Sequence, residues 1–178
     1  MLAPFLVEYP WLVPTAFLVF ALASPFLGAW LVERRSLLVT LFAVAIVATL
    51  ALVFTPTGRT LAVECLVEWS VPVPRAVEPF ANVVLFVPIA FLGALLARRP
   101  LTIALLGSLA SALIEAAQAV LPALGRSCST NDWLANSIGA LIGALLAWGA
   151  LALRRWWDSA RRPTTAASSE EPQIGPSI

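Results

Sequence analysis

The chain has 178 residues, of which 60% are hydrophobic and 12% charged, with a formal net charge of +1 and a mean hydropathy of +0.90. A soluble domain carries about 25% charged residues, so a water-soluble globule is excluded and the bilayer is the expected solvent. The basic residues are all arginine and there is no histidine. That removes histidine acid–base catalysis, serine–histidine triads and histidine metal sites.

Five apolar runs follow in chain order: Trp11–Val32, Leu37–Phe54, Phe80–Ala97, Leu101–Leu121 and Trp133–Leu153. Each is close to the roughly 20 residues that cross a bilayer as a helix. Helices are required because a chain in lipid must satisfy its own backbone hydrogen bonds. The runs also lack the alternation of barrel strands. The expected fold is therefore all-α, a polytopic bundle of about five transmembrane helices. The first run has no positive flank, and Glu8 precedes it, so it reads as a retained helix rather than a signal peptide. Residues 1–36 then form the first helix and its turn, and residues 37–157 the main helical domain. Residues 158–178, rich in Pro, Ser and Thr, are expected to be a disordered tail.

Arginine placement orients the bundle. Arg34-Arg35, Arg98-Arg99, Arg154-Arg155 and Arg161-Arg162 follow the first, third and fifth runs, so they share one side, and the positive-inside rule assigns it to the cytoplasm. The N-terminus is then outside and the C-terminus inside. Loops 55–79 and 122–132 are both outside. In the first of these, Leu61–Trp69 is expected to form a short interfacial helix. Its Glu64 and Glu68 would share a face at i,i+4 spacing and read as a solvated surface.

Polar residues within spans are costly and therefore candidates for function. On the fourth run Ser108, Ser111, Glu115 and Gln118 recur at three- and four-residue spacing and line one face. Either a working site or interhelical hydrogen bonding explains them. Asn82 opens the third run, Arg126 and Asp132 lie in the loop before the fifth, and Asn136 is one turn inside it. Asp132 also suits a helix N-cap. Asn82, Glu115, Gln118, Arg126, Asp132 and Asn136 all map to the outer leaflet. There they form a candidate polar pocket, with Arg126 as counter-ion to Glu115 or as the group that meets a carboxylate or phosphate. Gly139 and Gly143 make a GxxxG pair, and Gly107 with Ser111 a small-xxx-small pair, both serving close helix packing. Pro88 should kink the third helix beside Asn82. Cys65 and Cys128 fall in the two outer loops, where a disulfide between them is expected.

Three segments resemble a known family. Asn82-Val83-Val84-Leu85-Phe86-Val87-Pro88 is similar to the Asn…Phe-x-Pro segment of VanZ-like membrane proteins. Ser111 to Gln118, with Ile114-Glu115, resembles their Ser-x-x-Ile-Glu-x-x-Gln helix. Arg126 followed by Asp132, Asn136, Gly139 and Gly143 resembles their closing Arg…Asp-x-x-x-Asn-x-x-Gly-x-x-x-Gly pattern. The segments occur in the family's order over residues 79–150. Ala90, Ser129 and Asn131 depart from it, the last two where the family loop is often richer in Asp. The resemblance implies a multi-pass protein of the bacterial cytoplasmic membrane. The family's namesake is associated with resistance to teicoplanin, a lipid-bearing glycopeptide.

Three functions compete with one another and with a purely structural membrane bundle. The first is an envelope protein whose outer pocket binds a lipid-linked cell-wall intermediate or an amphiphilic antibiotic. The second is an intramembrane acid/base enzyme, for which no activated nucleophile is evident. The third is a small proton-coupled transporter using Glu115. Membrane lipids are the expected surroundings; no cofactor, metal or nucleic-acid partner is expected, and the oligomeric state is open.

Overall fold

The computed structural model describes residues 11–56, 65–70, 72–73 and 77–161. The expectations for Glu8, Glu64, Arg162 and the tail beyond 161 lie outside the described residues. The described chain forms five long helices: α1 Leu12–Leu31, α2 Arg35–Phe54, α3 Val77–Ala97, α4 Pro100–Val120 and α5 Thr130–Ala160. All five are long and apolar enough to cross a membrane, and the chain is a multi-pass membrane protein. Four of the five match the expected spans to within about three residues at each end.

The fifth departs most. It begins at Thr130 and runs to Ala160, seven residues past the expected limit of Leu153. Nothing in Arg154–Ala160 breaks a helix, and Arg and Ala favour one. Arg154, expected in a connection, therefore sits on the last turns of α5. There it pairs with Asp158 at 2.9 Å, one turn on, and with Glu33 in the α1–α2 turn. Residues 158–160 of the expected tail are helical.

α5 is the hub of the bundle. It packs chiefly on α3, then on α4 and α1, while α2 lies against α3. The inward face of α5 is built from small residues: Ala135, Gly139, Ala140, Gly143, Ala144, Ala147 and Ala150 are all buried. Such a face lets helices approach where lipid supplies no hydrophobic drive. A β-carbon on Gly139 would overlap the Val83 carbonyl. One on Gly143 would overlap the Val87 carbonyl and come within 2.9 Å of the Phe91 amide. On Gly107 it would lie 2.7 Å from Ala140, and on Gly28 of α1 it would lie 2.6 Å from the Ala150 β-carbon. The GxxxG pair is thus spent on packing within the chain.

Two prolines interrupt the ladders. Pro25 in α1 leaves the Ala21 carbonyl without its usual donor, and the buried Ser24 hydroxyl donates to that carbonyl at 2.9 Å. Pro88 sits within an unbroken α3. The turns at one end of the bundle carry Arg34, Arg35, Arg98, Arg99, Arg154, Arg155 and Arg161, and Arg34 lies over the Trp30 ring at 3.7 Å. The opposite end carries the polar residues singled out above.

Candidate functional site

The polar end is organised by the start of α5. Its N-cap is Ser129, whose hydroxyl accepts from the Asn131 and Asp132 amides at 3.1 and 3.4 Å. The expectation that Asp132 caps the helix is therefore corrected. Asp132 lies in the first turn, three residues in, where a carboxylate still suits the positive end of the helix dipole. Ser129 wins because its short side chain reaches the second and third amides of the turn from the extended backbone at that position.

Glu115 reaches the same place from α4. Its Oε2 accepts from the Ser129 amide at 2.8 Å. In a capping box that amide is met from within the helix, by the residue at the third position. Here a neighbouring helix supplies the carboxylate. Glu115 is 7% exposed, so the bond gives one oxygen of a buried carboxyl group its partner. The Asp132 carboxylate is close enough to Glu115 to interact with it through space.

Deeper in the bundle, Asn136 Nδ2 donates to Ser111 Oγ at 2.9 Å. One turn below, Ser108 and Ser137 share a hydrogen bond of 2.9 Å, and Trp133 Nε1 donates to the Ser108 carbonyl at 3.2 Å. The polar face of α4 is thus read by α5 rung by rung. Asn136 is 4% exposed, and its Oδ1 has no partner among the described residues.

Gln118 and Arg126 face the other way, towards α2. Gln118 Nε2 approaches the Val53 carbonyl at 3.4 Å. Arg126 Nη2 donates to the Leu52 carbonyl at 2.8 Å, and its Nε to Thr55 at 3.5 Å. These are terminal carbonyls of α2, which lack intrahelical donors, and a guanidinium suits the negative end of a helix dipole. The expected fold-back of Arg126 onto Glu115 is not what is found. Among the described residues the ion pairs of Arg154 lie at the basic end, and Arg126 is bonded to backbone. The turn that delivers Arg126 includes Gly125 at φ 60°, a left-handed conformation that glycine adopts without strain.

The loop over this end is stitched down. Cys65 and Cys128 form a disulfide, with Cα atoms 4.5 Å apart. Leu66 and Ser129 then pair in a parallel bridge: the Leu66 amide donates to the Cys128 carbonyl at 2.9 Å, and the Thr130 amide to the Leu66 carbonyl at 3.1 Å. Thr130 Oγ1 donates to the Glu68 carbonyl at 2.7 Å and accepts from the Glu68 amide at 3.0 Å. Asn131 Oδ1 accepts from the Ser70 amide and hydroxyl at 3.1 and 3.0 Å, and Trp69 meets Trp133 edge to face at 6.3 Å. Residues 65–70 are therefore extended, which corrects the expected helix over Leu61–Trp69 where it is described. Once Cys65 is bonded to Cys128, the start of α5 offers backbone partners that a helix could not use.

Of the six expected pocket residues, Glu115, Asp132 and Asn136 share the α4–α5 junction, and Gln118 and Arg126 tie α4 and its following loop to α2. Asn82 is partly buried beside Val83, which packs on Ala135, and takes no part in these hydrogen bonds. Ser129, Thr130 and Asn131 are participants outside the expected set of six, although Ser129 three residues before Asp132 is a capping signal. Among the described residues no three His, Cys, Asp or Glu side chains gather as metal ligands.

A family model described as VanZ/LLP1 matches residues 42–154, from within α2 to the last turns of α5. No curated protein and no solved structure matches the chain.

Proposed function

We propose that this chain, which belongs to the VanZ/LLP1 family, is a bacterial envelope protein whose polar end binds the anionic head group of an amphiphile from the outer leaflet. The basic end, by the positive-inside rule, lies in the cytoplasm, so the polar end faces outward. The observation that carries the reading is the state of Arg126. Its guanidinium is partly exposed and anchored through Nε and Nη2 to α2 carbonyls, which leaves Nη1 without a protein acceptor among the described residues. An anchored planar fork with N–H groups to spare suits a phosphate or carboxylate. Glu115, Gln118 and Asn136 position the helices around it rather than touching the ligand.

The experiment is genetic. The gene is deleted in its host and restored as wild type, Arg126→Lys or Arg126→Gln at matched protein levels. Sensitivity to a lipid-bearing glycopeptide and to a lipid-free one is then compared. Under this reading wild type changes sensitivity, and only to the lipid-bearing compound; Arg126→Lys does so less and Arg126→Gln does not. Equal protection by Arg126→Gln would sink it.

One observation favours a second reading. Glu115 meets the first turn of α5, and Asp132 lies in that same turn, so two carboxyl groups share one helix start, as two groups handling a proton in a small transporter would. Glu115→Gln separates the two: it preserves the hydrogen bond from Ser129 and so spares head-group binding, but it abolishes proton coupling.

A further inference from the structure

Between α2, α3 and α4 lies an apolar cavity of about 300 Å³, walled by Phe42, Thr49, Phe86, Ile103 and Ile114. Its rim includes Leu50 and Leu106, which are 43% and 52% exposed, so it opens sideways between α2 and α4 into the bilayer. Along α4 the walls run from Ile103 to Ile114, about 16 Å by helix rise. Its volume and this length together suit a hydrocarbon chain lying along α4.

The upper end of this slot meets the polar end. Thr49 is one turn below Val53, and Ile114 one turn below Gln118, about 6 Å in each case. Val53 and Gln118 are the pair that closes α2 on α4, and Leu52 beside them holds Arg126. An apolar slot thus ends beneath an anchored guanidinium. Charge and polarity are laid out as on an amphiphile lying along the bilayer normal.

We propose that this cavity holds a single hydrocarbon chain of the amphiphile whose anionic head meets Arg126. The inference rests on the head-group reading above and narrows it: the ligand inserts one chain, and its second chain, if it has one, stays in the bulk lipid. The groove between α1 and α3, walled by Phe17, Phe20, Val84 and Pro88, has no such cation at its end among the described residues and serves as the internal comparison.

The test uses the full chain in lipid nanodiscs and a single-chain alkyl phosphate bearing a photoreactive diazirine near its chain end, with the matching alkyl alcohol as second probe. Crosslinked peptides are mapped by mass spectrometry. The phosphate probe is expected to label α2, α3 and α4 at the cavity wall. Ala110→Trp fills the slot from an exposed lining position and is expected to cut that label at least tenfold. Ala16→Trp, which fills the α1–α3 groove, leaves it unchanged. Label that persists in Ala110→Trp, or that collects on α1, overturns the cavity. If phosphate and alcohol label the cavity equally, with or without Arg126→Gln, and Ala110→Trp removes both, the chain site stands and the head-group reading falls. If Arg126→Gln weakens phosphate labelling but the label is scattered over the lipid-facing surface, the head-group reading stands and the cavity falls.

Discussion

Glu115 meets the Ser129 amide from a different helix, so its oxygen matters more than its charge for folding. Glu115→Ala leaves a partly buried amide unpaired and should cost about 1–3 kcal/mol, read as a lower unfolding midpoint in detergent. Glu115→Gln keeps an acceptor in place and should stay within about 1 kcal/mol of wild type. A collapse of Glu115→Gln to the level of Glu115→Ala would show that the negative charge, not the bond, holds the start of α5. The spacing of Ser111, Glu115 and Gln118 made their shared face legible in sequence. Their partners were not legible, because Glu115 and Gln118 bond backbone groups, and every residue offers those. Arg126 misled for the same reason: the obvious acceptor for a cation is a carboxylate, while the unmet carbonyls at the end of α2 carry no signature. Ser24 beside Pro25 is a similar case, readable only once the orphaned Ala21 carbonyl is counted.

At the scale of elements, the α3–α5 contact decides stability. Gly139→Ala and Gly143→Ala put a methyl against backbone carbonyls, which cannot step aside as a side chain can. Each should cost about 1–3 kcal/mol, the usual penalty of overpacking. Gly149 has open space around its β-position, so Gly149→Ala should be neutral or stabilise by up to about 1 kcal/mol through helix propensity. Unfolding midpoints of the three variants check the contrast, and equal effects would refute the packing account. The five spans were legible from hydropathy because length and composition alone define a membrane helix. The ends of α5 were not: its start depends on a cap competition between Ser129 and Asp132, and its finish lies past charged residues that close the apolar run but do not break a helix. The extended path of residues 65–70 followed only once Cys65 was bonded to Cys128. That bridge closes a separation of 63 residues, for which chain entropy gives about 4 kcal/mol. This is an upper bound, since inserted helices already restrict the unfolded chain. Cys65→Ser with Cys128→Ser should lower the midpoint by less than that bound and expose the loop to protease in right-side-out vesicles. An unchanged cleavage pattern would mean that the hydrogen bonds to Thr130 and Asn131 suffice.

For the whole molecule, two ends of opposite character define the work. One gathers arginines at the turns; the other gathers a capped helix start, a bonded loop and an anchored guanidinium around an apolar slot. A cysteine replacing Ser159 in a Cys65→Ser, Cys128→Ser background should resist a membrane-impermeant maleimide in intact cells and react after permeabilisation. Reaction in intact cells would reverse the proposed orientation and move the polar end to the cytoplasm. Head-group binding turns above all on Arg126. The measurement that tests it most directly is a binding titration of the nanodisc-embedded protein with a single-chain alkyl phosphate, comparing wild type, Arg126→Lys and Arg126→Gln. Loss of a charge-assisted hydrogen bond worth about 1.5–3 kcal/mol predicts at least about tenfold weaker binding for Arg126→Gln, with Arg126→Lys between the two. Equal affinity across all three proteins would contradict the head-group site.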